Sequence, residues 1–152
     1  MFNLSKEALE FLRNNDGKKI VFTNGCFDIL HVGHVKYLNN ARSLGDVLFL
    51  GLNSDASVRG LKGEERPINK QVDRKYILEN LSCVDFVEIF EEETPLELIK
   101  SVKPHFLVKG GDWKPTDIVG HEVVSASGGE VLSLNFVEGK STTNIINSIK
   151  SK

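Results

Sequence analysis

Cysteine is scarce in this chain: of 152 residues only Cys26 and Cys83 carry a thiol. That excludes a disulfide framework and a four-cysteine metal site. Excess charge is lacking too. Nineteen Lys and Arg against 21 Asp and Glu leave a net charge of -2, so no general electrostatic attraction draws the chain to nucleic acid or to an anionic membrane. No apolar run approaches membrane-spanning length. Met1-Phe2-Asn3-Leu4 has neither the basic start nor the apolar core of a signal peptide. The expectation is a cytoplasmic protein with no nucleic-acid or membrane partner.

What is present is ordinary for a soluble globular domain, with 40% hydrophobic and 26% charged residues. The length suits one domain over residues 1–152, divided into an N-terminal helix (1–17) and a core (18–152). Ser5 is placed to cap the first helix, with Ala8, Leu9 and Leu12 on one side. Apolar strands are predicted at 19–23, 46–52, 86–90, 105–109 and 130–134. Helices are predicted at about 33–43 and 70–81, after Thr94-Pro95, after Asp117 and at 141–149, the last with Ile145, Ile146 and Ile149 facing inward. A polar loop is expected between Val58 and Asn69. The acidic run Glu91-Glu92-Glu93 reads as a solvated complement to a helix N-terminus. Alternating strands and helices imply an α/β fold: one doubly wound, five-stranded parallel Rossmann-like sheet with helices on both faces. Ligands in such folds sit outside the carboxyl ends of the strands.

The most informative stretch lies at the first of those ends. Thr23-Asn24-Gly25-Cys26-Phe27-Asp28 leads into His31-Val32-Gly33-His34, a strand–turn–helix junction that points backbone N–H groups and a positive helix end at one spot. Gly25 and Gly33 permit close approach of a phosphate, and two imidazoles add donors. Zinc is the other reading, but no third ligand stands at suitable local spacing, so no metal is assigned by direct protein ligation. Ser141 and Thr142 are helix caps whose following N–H groups remain free for an anion. Lys62 and Arg66 lie on the polar loop, where they either close over phosphates or are merely solvated. Lys109 meets a ligand phosphate or a surface carboxylate. Gly110, Gly111 and Asp112 are placed to border a nucleoside, and Trp113 either stacks on a ring or packs against the sheet end. Asp28 either orients an imidazole, holds a metal's waters, or simply forms the turn. Cys26 and Cys83 read as small, unreactive residues.

Asn24-Gly25-Cys26-Phe27-Asp28 followed by His31-Val32-Gly33-His34 resembles the HxGH nucleotidyltransferase superfamily, in its cytidylyltransferase-like branch. Glu138-Gly139-Lys140-Ser141-Thr142-Thr143 is similar to that family's Ser-Thr-Thr element. Asn53-Ser54-Asp55, Arg66-Pro67, Asp73-Arg74 and Val108-Lys109-Gly110-Gly111-Asp112-Trp113 extend the likeness over nearly all of the chain after residue 18. The Leu-Lys-Gly…Arg-Pro loop and the Ser-Thr-Thr-Asn-Ile-Ile ending look most like the adenylyltransferases that act on a heptose 1-phosphate.

The resemblance implies transfer of AMP from ATP to a sugar 1-phosphate, with Mg²⁺ on the ATP and pyrophosphate released. His31, His34 and Lys62 would be catalytic. Asn24, Gly25, Cys26, Phe27, Gly33, Gly110, Asp112, Ser141, Thr142 and Thr143 would hold the nucleotide. Asp28, Arg66, Arg74, Lys109 and Trp113 would meet phosphate or substrate. It further implies a separate sugar kinase upstream and a homodimer. The alternatives are a CTP-dependent enzyme for glycerol 3-phosphate or a related phospho-alcohol, and a catalytically silent nucleotide-binding module. Phe136-Val137-Glu138-Gly139 lacks the arginine that usually precedes Ser-Thr-Thr in glycerol-3-phosphate cytidylyltransferases, which weakens the first of these.

Overall fold

A computed structural model describes residues 2–135 and 140–151. The strands are β1 (Ile20–Gly25), β2 (Val47–Asn53), β3 (Phe86–Phe90), β4 (Phe106–Gly110) and β5 (Glu130–Leu134). They form one parallel sheet in the order β3-β2-β1-β4-β5. β2 is buried along its whole length, as its unbroken apolar sequence requires of a central parallel strand. The helices are α1 (Lys6–Asn14), α2 (Val32–Arg42), α3 (Asp55–Lys62), α4 (Gln71–Glu79), α5 (Leu96–Val102), α6 (His121–Ala126) and α7 (Thr142–Lys150). None is long and apolar enough to cross a membrane.

Two apolar layers flank the sheet. Tyr37, Leu38 and Ala41 of α2 pack with Leu78 of α4 against Val21, Leu48 and Leu50. On the other layer Ala8 of α1, Leu98, Ile99 and Val102 of α5 and Val124 of α6 pack against Phe22, Phe49 and Leu107. The doubly wound reading therefore holds. The chain runs outward from β1 to β3 and then returns to place β4 on β1's other side, which makes the β1/β4 boundary the topological switch point. There the strands part: β1 pairs with β2 as far as Gly25 and Leu52, but with β4 only at Val21–Phe106 and Phe22–Leu107. A crevice opens beyond Phe22.

Several local expectations change. The polar loop after Val58 is shorter than its composition suggests, because α3 continues to Lys62. Ser54 Oγ caps it by accepting from Ser57 N at 3.1 Å, and Val58 is fully buried. The motif Thr94-Pro95 predicts Thr94 as the cap and Pro95 as the first helical residue of α5, but Pro95 occupies the cap position and Leu96 N lies 3.5 Å from Thr94 Oγ1. Asp117 ends a single 3-10 turn, Pro115–Asp117, and α6 starts later, after Gly120 at φ 94°. Ile149 does not face inward. It is 68% exposed, and α7 buries none of its residues completely.

One side chain ties the strand ends together. Arg74 of α4 is 1% exposed. Its Nη1 donates to the carbonyls of Cys26 (2.7 Å) and Asn53 (2.8 Å), its Nε to that of Asn69 (2.9 Å), and its Nη2 pairs with Asp55 Oδ1 (2.8 Å). The loops that follow β1 and β2 thus hang on one guanidinium. Arg74→Ala would strand three carbonyls and leave the Asp55 carboxylate only its bond from Gln71 N, so it should cost about 3 kcal/mol or more. Urea unfolding measures this; a loss below about 1 kcal/mol would show that the bonds are dispensable.

Candidate active site

The crevice is a cavity of about 630 Å³, and its lining draws on the loops at the carboxyl ends of β1 and β4. Asn24, Gly25, Cys26 and Phe27 form its floor with Leu107, Val108, Lys109 and Gly110. His31 and His34 stand on one side, beside Lys140, Ser141, Thr142 and Thr143. Lys62 and Arg66 reach it from the end of α3 and the loop that follows.

The turn after β1 adopts an uncommon backbone. Phe27 takes φ 45°, although its side chain is bulky, and its ring is buried. Non-glycine residues in that region cost on the order of 1 kcal/mol or more and persist when their surroundings hold them. Here the ring folds back over Gly25, where a Cβ would lie 2.9 Å from the Phe27 ring. Glycine is needed for that contact. The same ring supports the second imidazole, with the centroids of Phe27 and His34 at 5.3 Å.

The histidines cap α2 reciprocally. His31 Nδ1 accepts from Gly33 N at 3.1 Å, and His34 Nδ1 accepts from His31 N at 3.3 Å. The two rings stack with centroids 3.9 Å apart. A Cβ on Gly33 would meet His31 Cε1 at 2.8 Å, so this glycine lets the first ring lie across the helix start. Each Nδ1 is occupied as an acceptor, which leaves Nε2 of the neutral ring as the donor. The environment keeps the rings neutral. Burial and then the His31 charge push His34 down to about 4. Burial and then Lys140 push His31 below its ordinary value. The pair is a set of two neutral hydrogen-bond donors at the positive end of a helix.

α7 brings a second helix start to the same cavity. Ser141 Oγ accepts from Asn144 N at 2.9 Å, and Thr142 Oγ1 donates to the Ile29 carbonyl at 3.0 Å, pinning this end of α7 to the loop before α2. Glu138 and Gly139 of the same motif lie outside the described residues.

Four assignments need correction. Arg74 is buried and does not line the cavity; its guanidinium is committed to three carbonyls and Asp55. Asp28 borders the cavity, yet its carboxylate is 1% exposed and spent on Arg66 Nε (2.9 Å), Ile68 N (2.8 Å) and Asn69 N (2.8 Å). It neither orients an imidazole nor faces a ligand. Asp112 and Trp113 are exposed and stand off the lining, where Lys109 Nζ lies 4.9 Å from the Trp113 ring centroid. That is a cation–π contact between a cavity-lining lysine and an exposed ring. Burial lowers the Lys109 ammonium from its ordinary value.

Sequence reasoning missed other lining residues. Lys140 stands beside the histidines, and its place next to Ser141 was the available signal. Tyr37 also lines the cavity, its hydroxyl 2.6 Å from Thr23 Oγ1 and pushed by burial to about 12. Glu93, Thr94, Ile118 and Val119 are further lining residues. Glu93 belongs to the acidic run that reads as solvated charge and is exposed as expected, while also standing at the cavity edge after β3. Cys26 lines the floor with its thiol raised by burial, against the lowering effect of Lys62, Arg74 and Arg66. No group of three His, Cys, Asp or Glu that could hold a metal occurs among the described residues. The donor set instead suits anionic oxygens that bring their own cation.

The sequence profile described as cytidylyltransferase-like matches residues 22–147. The chain belongs to the cytidylyltransferase-like family. This member is 63% identical over 144 residues to the bifunctional protein HldE of Aliarcobacter butzleri (strain RM4018), a match covering 95% of this chain and 29% of that protein. It is also 63% identical over 133 residues to the bifunctional protein HldE of Pelobacter propionicus (strain DSM 2379 / NBRC 103807 / OttBd1), covering 88% and 27%. The chain thus spans less than a third of the length of these curated relatives. The solved lipopolysaccharide core biosynthesis protein from Thermoplasma volcanium GSS1 superposes with a TM-score of 0.65 at 26% identity, over 82% of this cytidylyltransferase-like chain and all of that one. Pantothenate synthetase from Thermus thermophilus shares the fold at a TM-score of 0.62 and 16% identity, over 91% and 65% of the two chains.

Because His34 titrates lower when folded than when unfolded, the unfolded state binds the extra proton first. The stability that rests on neutral His34 is therefore complete above about pH 6.5 and is lost as pH falls toward about 4. Titration of the imidazole resonances by NMR should give a His34 midpoint near 4, with His31 also below 6.5. A His34 midpoint at 6.5 would contradict the buried, neutral ring.

Proposed function

We propose that in the cytoplasm this chain transfers AMP from ATP to D-glycero-β-D-manno-heptose 1-phosphate, giving ADP-heptose and pyrophosphate. One observation carries the nucleotidyltransfer: two neutral imidazoles, locked by their Nδ1 bonds, share a cavity with the start of α7. The heptose acceptor rests on the resemblance of the Lys62-to-Pro67 loop and the Ser141-to-Ile146 ending, supported by the lipopolysaccharide core biosynthesis protein among the similar structures. The bifunctional relatives leave more than two thirds of their length for a second function, which fits an upstream sugar kinase. A homodimer is part of the same reading.

The reaction needs no base. An oxygen of the sugar phosphate, already anionic at neutral pH, attacks the α-phosphorus of ATP. A new P–O bond forms as the bond to the α,β-bridging oxygen breaks, and that electron pair leaves with pyrophosphate. The protein's task is to place the partners in line and stabilise charge as it shifts between attacking and leaving oxygens. His31 and His34 donate through Nε2 to the reacting phosphate. Lys140 and the N–H groups following Ser141 take the departing side. Lys62 and Arg66 hold the attacking phosphate. A divalent ion, Mg²⁺ in this reading, comes with the triphosphate and supplies charge neutralisation there.

Pyrophosphate release over a grid of ATP, CTP, GTP and UTP against heptose 1-phosphate and glycerol 3-phosphate tests the assignment. ATP with the heptose phosphate should turn over fastest. Preference for CTP with glycerol 3-phosphate would overturn the acceptor and nucleotide, and nucleotide binding without turnover on either acceptor would mark a silent module. His34→Ala should lower kcat by ~10²–10³, the usual loss for one oxyanion donor. An unchanged kcat would remove His34 from the mechanism.

A further inference from the structure

Among the described residues Asp28 is the one buried carboxylate at the cavity, and the phosphoryl chemistry above does not use it. It sits two residues beyond Cys26, in the turn that β1 feeds. It accepts from Arg66 Nε (2.9 Å), Ile68 N and Asn69 N, and the Asp28 carbonyl accepts from Asn69 Nδ2 at 2.9 Å. A single aspartate thus holds the segment between α3 and α4 against the end of β1. Arg66 is the member of that trio whose side chain lines the cavity.

The pairing atom matters. Nε is the inner nitrogen of the guanidinium, so the bond to Asp28 consumes one donor and fixes the plane of the fork. Both Nη nitrogens are left without a hydrogen bond or ion pair among the described residues. With Arg66 only 14% exposed at its side chain, those free donors are held in one orientation at the cavity wall rather than sweeping through solvent. Lys62, a few residues earlier, lines the same cavity. The helix starts of α2 and α7 line the same cavity and, in the proposed reaction, supply donors for the triphosphate. In-line displacement puts the attacking oxygen opposite the departing pyrophosphate, and the proposed reaction assigns Lys62 and Arg66 to that attacking phosphate.

We infer that Asp28 is a positioning residue: it aims the Arg66 fork at the phosphate of the acceptor and so sets the affinity for that substrate, not for ATP. The inference rests on the nucleotidyltransfer reading. Neutralising Asp28 leaves Arg66 its charge but frees its plane, and turns an acceptor of three donors into a partner that offers a clashing N–H.

The test is steady-state kinetics of wild type, Asp28→Asn, Arg66→Ala, the double variant and Arg66→Lys, with ATP and heptose 1-phosphate varied separately. Asp28→Asn should raise KM for the sugar phosphate about tenfold, the size of one charge-assisted bond, with KM for ATP within about twofold. In the Arg66→Ala background it should add nothing further to the acceptor KM, because the fork it aims is gone. Arg66→Lys keeps both the charge and the Asp28 carboxylate, and so avoids the folding burden of altering a buried acid; it should still raise the acceptor KM about tenfold. Multiplying effects in the double variant, an equal rise in KM for ATP, or wild-type behaviour of Arg66→Lys would each overturn the positioning role. Absence of wild-type turnover would instead overturn the assigned reaction, and is read before any variant is compared.

Discussion

The guanidinium of Arg74 is the constraint on which the site depends. Parallel sheets end in loops whose carbonyls have no strand partner, and the loops after β1 and β2 here also border the cavity. Arg74 rises from α4 through the apolar layer and gathers the carbonyls of Cys26, Asn53 and Asn69 with the Asp55 carboxylate. A lysine has too few directed donors for that set. The charge is buried, but each bond it makes is charge-assisted, which offsets the cost of taking it out of water. The turn before the histidines, the start of α3 and the segment that carries Arg66 are all fixed by it, directly or through Asp28.

On that frame the chemistry is a matter of which donors are kept neutral and which are kept charged. The imidazoles are neutral because they are partly buried, stacked on each other and placed at a helix start where a proton is unwelcome. Neutral rings still donate through Nε2 and do not compete with one another for charge. The lysines and Arg66 supply the charge around them, where a dianionic phosphate can exchange its hydration for theirs. In the proposed reaction the nucleophile is already ionised, so no residue need serve as base and Asp28 is free to act as scaffold.

Much of this was legible in residue order. Thr23 to His34 announced a strand–turn–helix junction carrying two histidines, and β3 and β5 fall where the apolar runs put them. The Ser5 and Ser141 caps are local chemistry, decided within three residues of each hydroxyl. The failures share a cause. Arg74 looks like any surface arginine on a polar helix, and only the arrival of three carbonyls from distant loops makes it a core residue. Asp28 and Arg66 are 38 residues apart, so their pairing leaves no mark on local pattern. Trp113 and Asp112 follow β4 in sequence, yet the chain turns their side chains off the cavity. Glu93 is exposed, as its acidic run suggests, and only its place after β3 adds it to the cavity edge.

By itself, then, the sequence determined the fold class, the strand positions and the type of chemistry, because periodicity, capping and the histidine spacing act over a few residues. Tertiary structure alone decided which charges face a ligand and which hold the scaffold. A buried arginine and a ligand-binding arginine have the same covalent structure; what separates them is whether protein acceptors or open space surround the guanidinium, and that depends on loops brought together by the order of the strands.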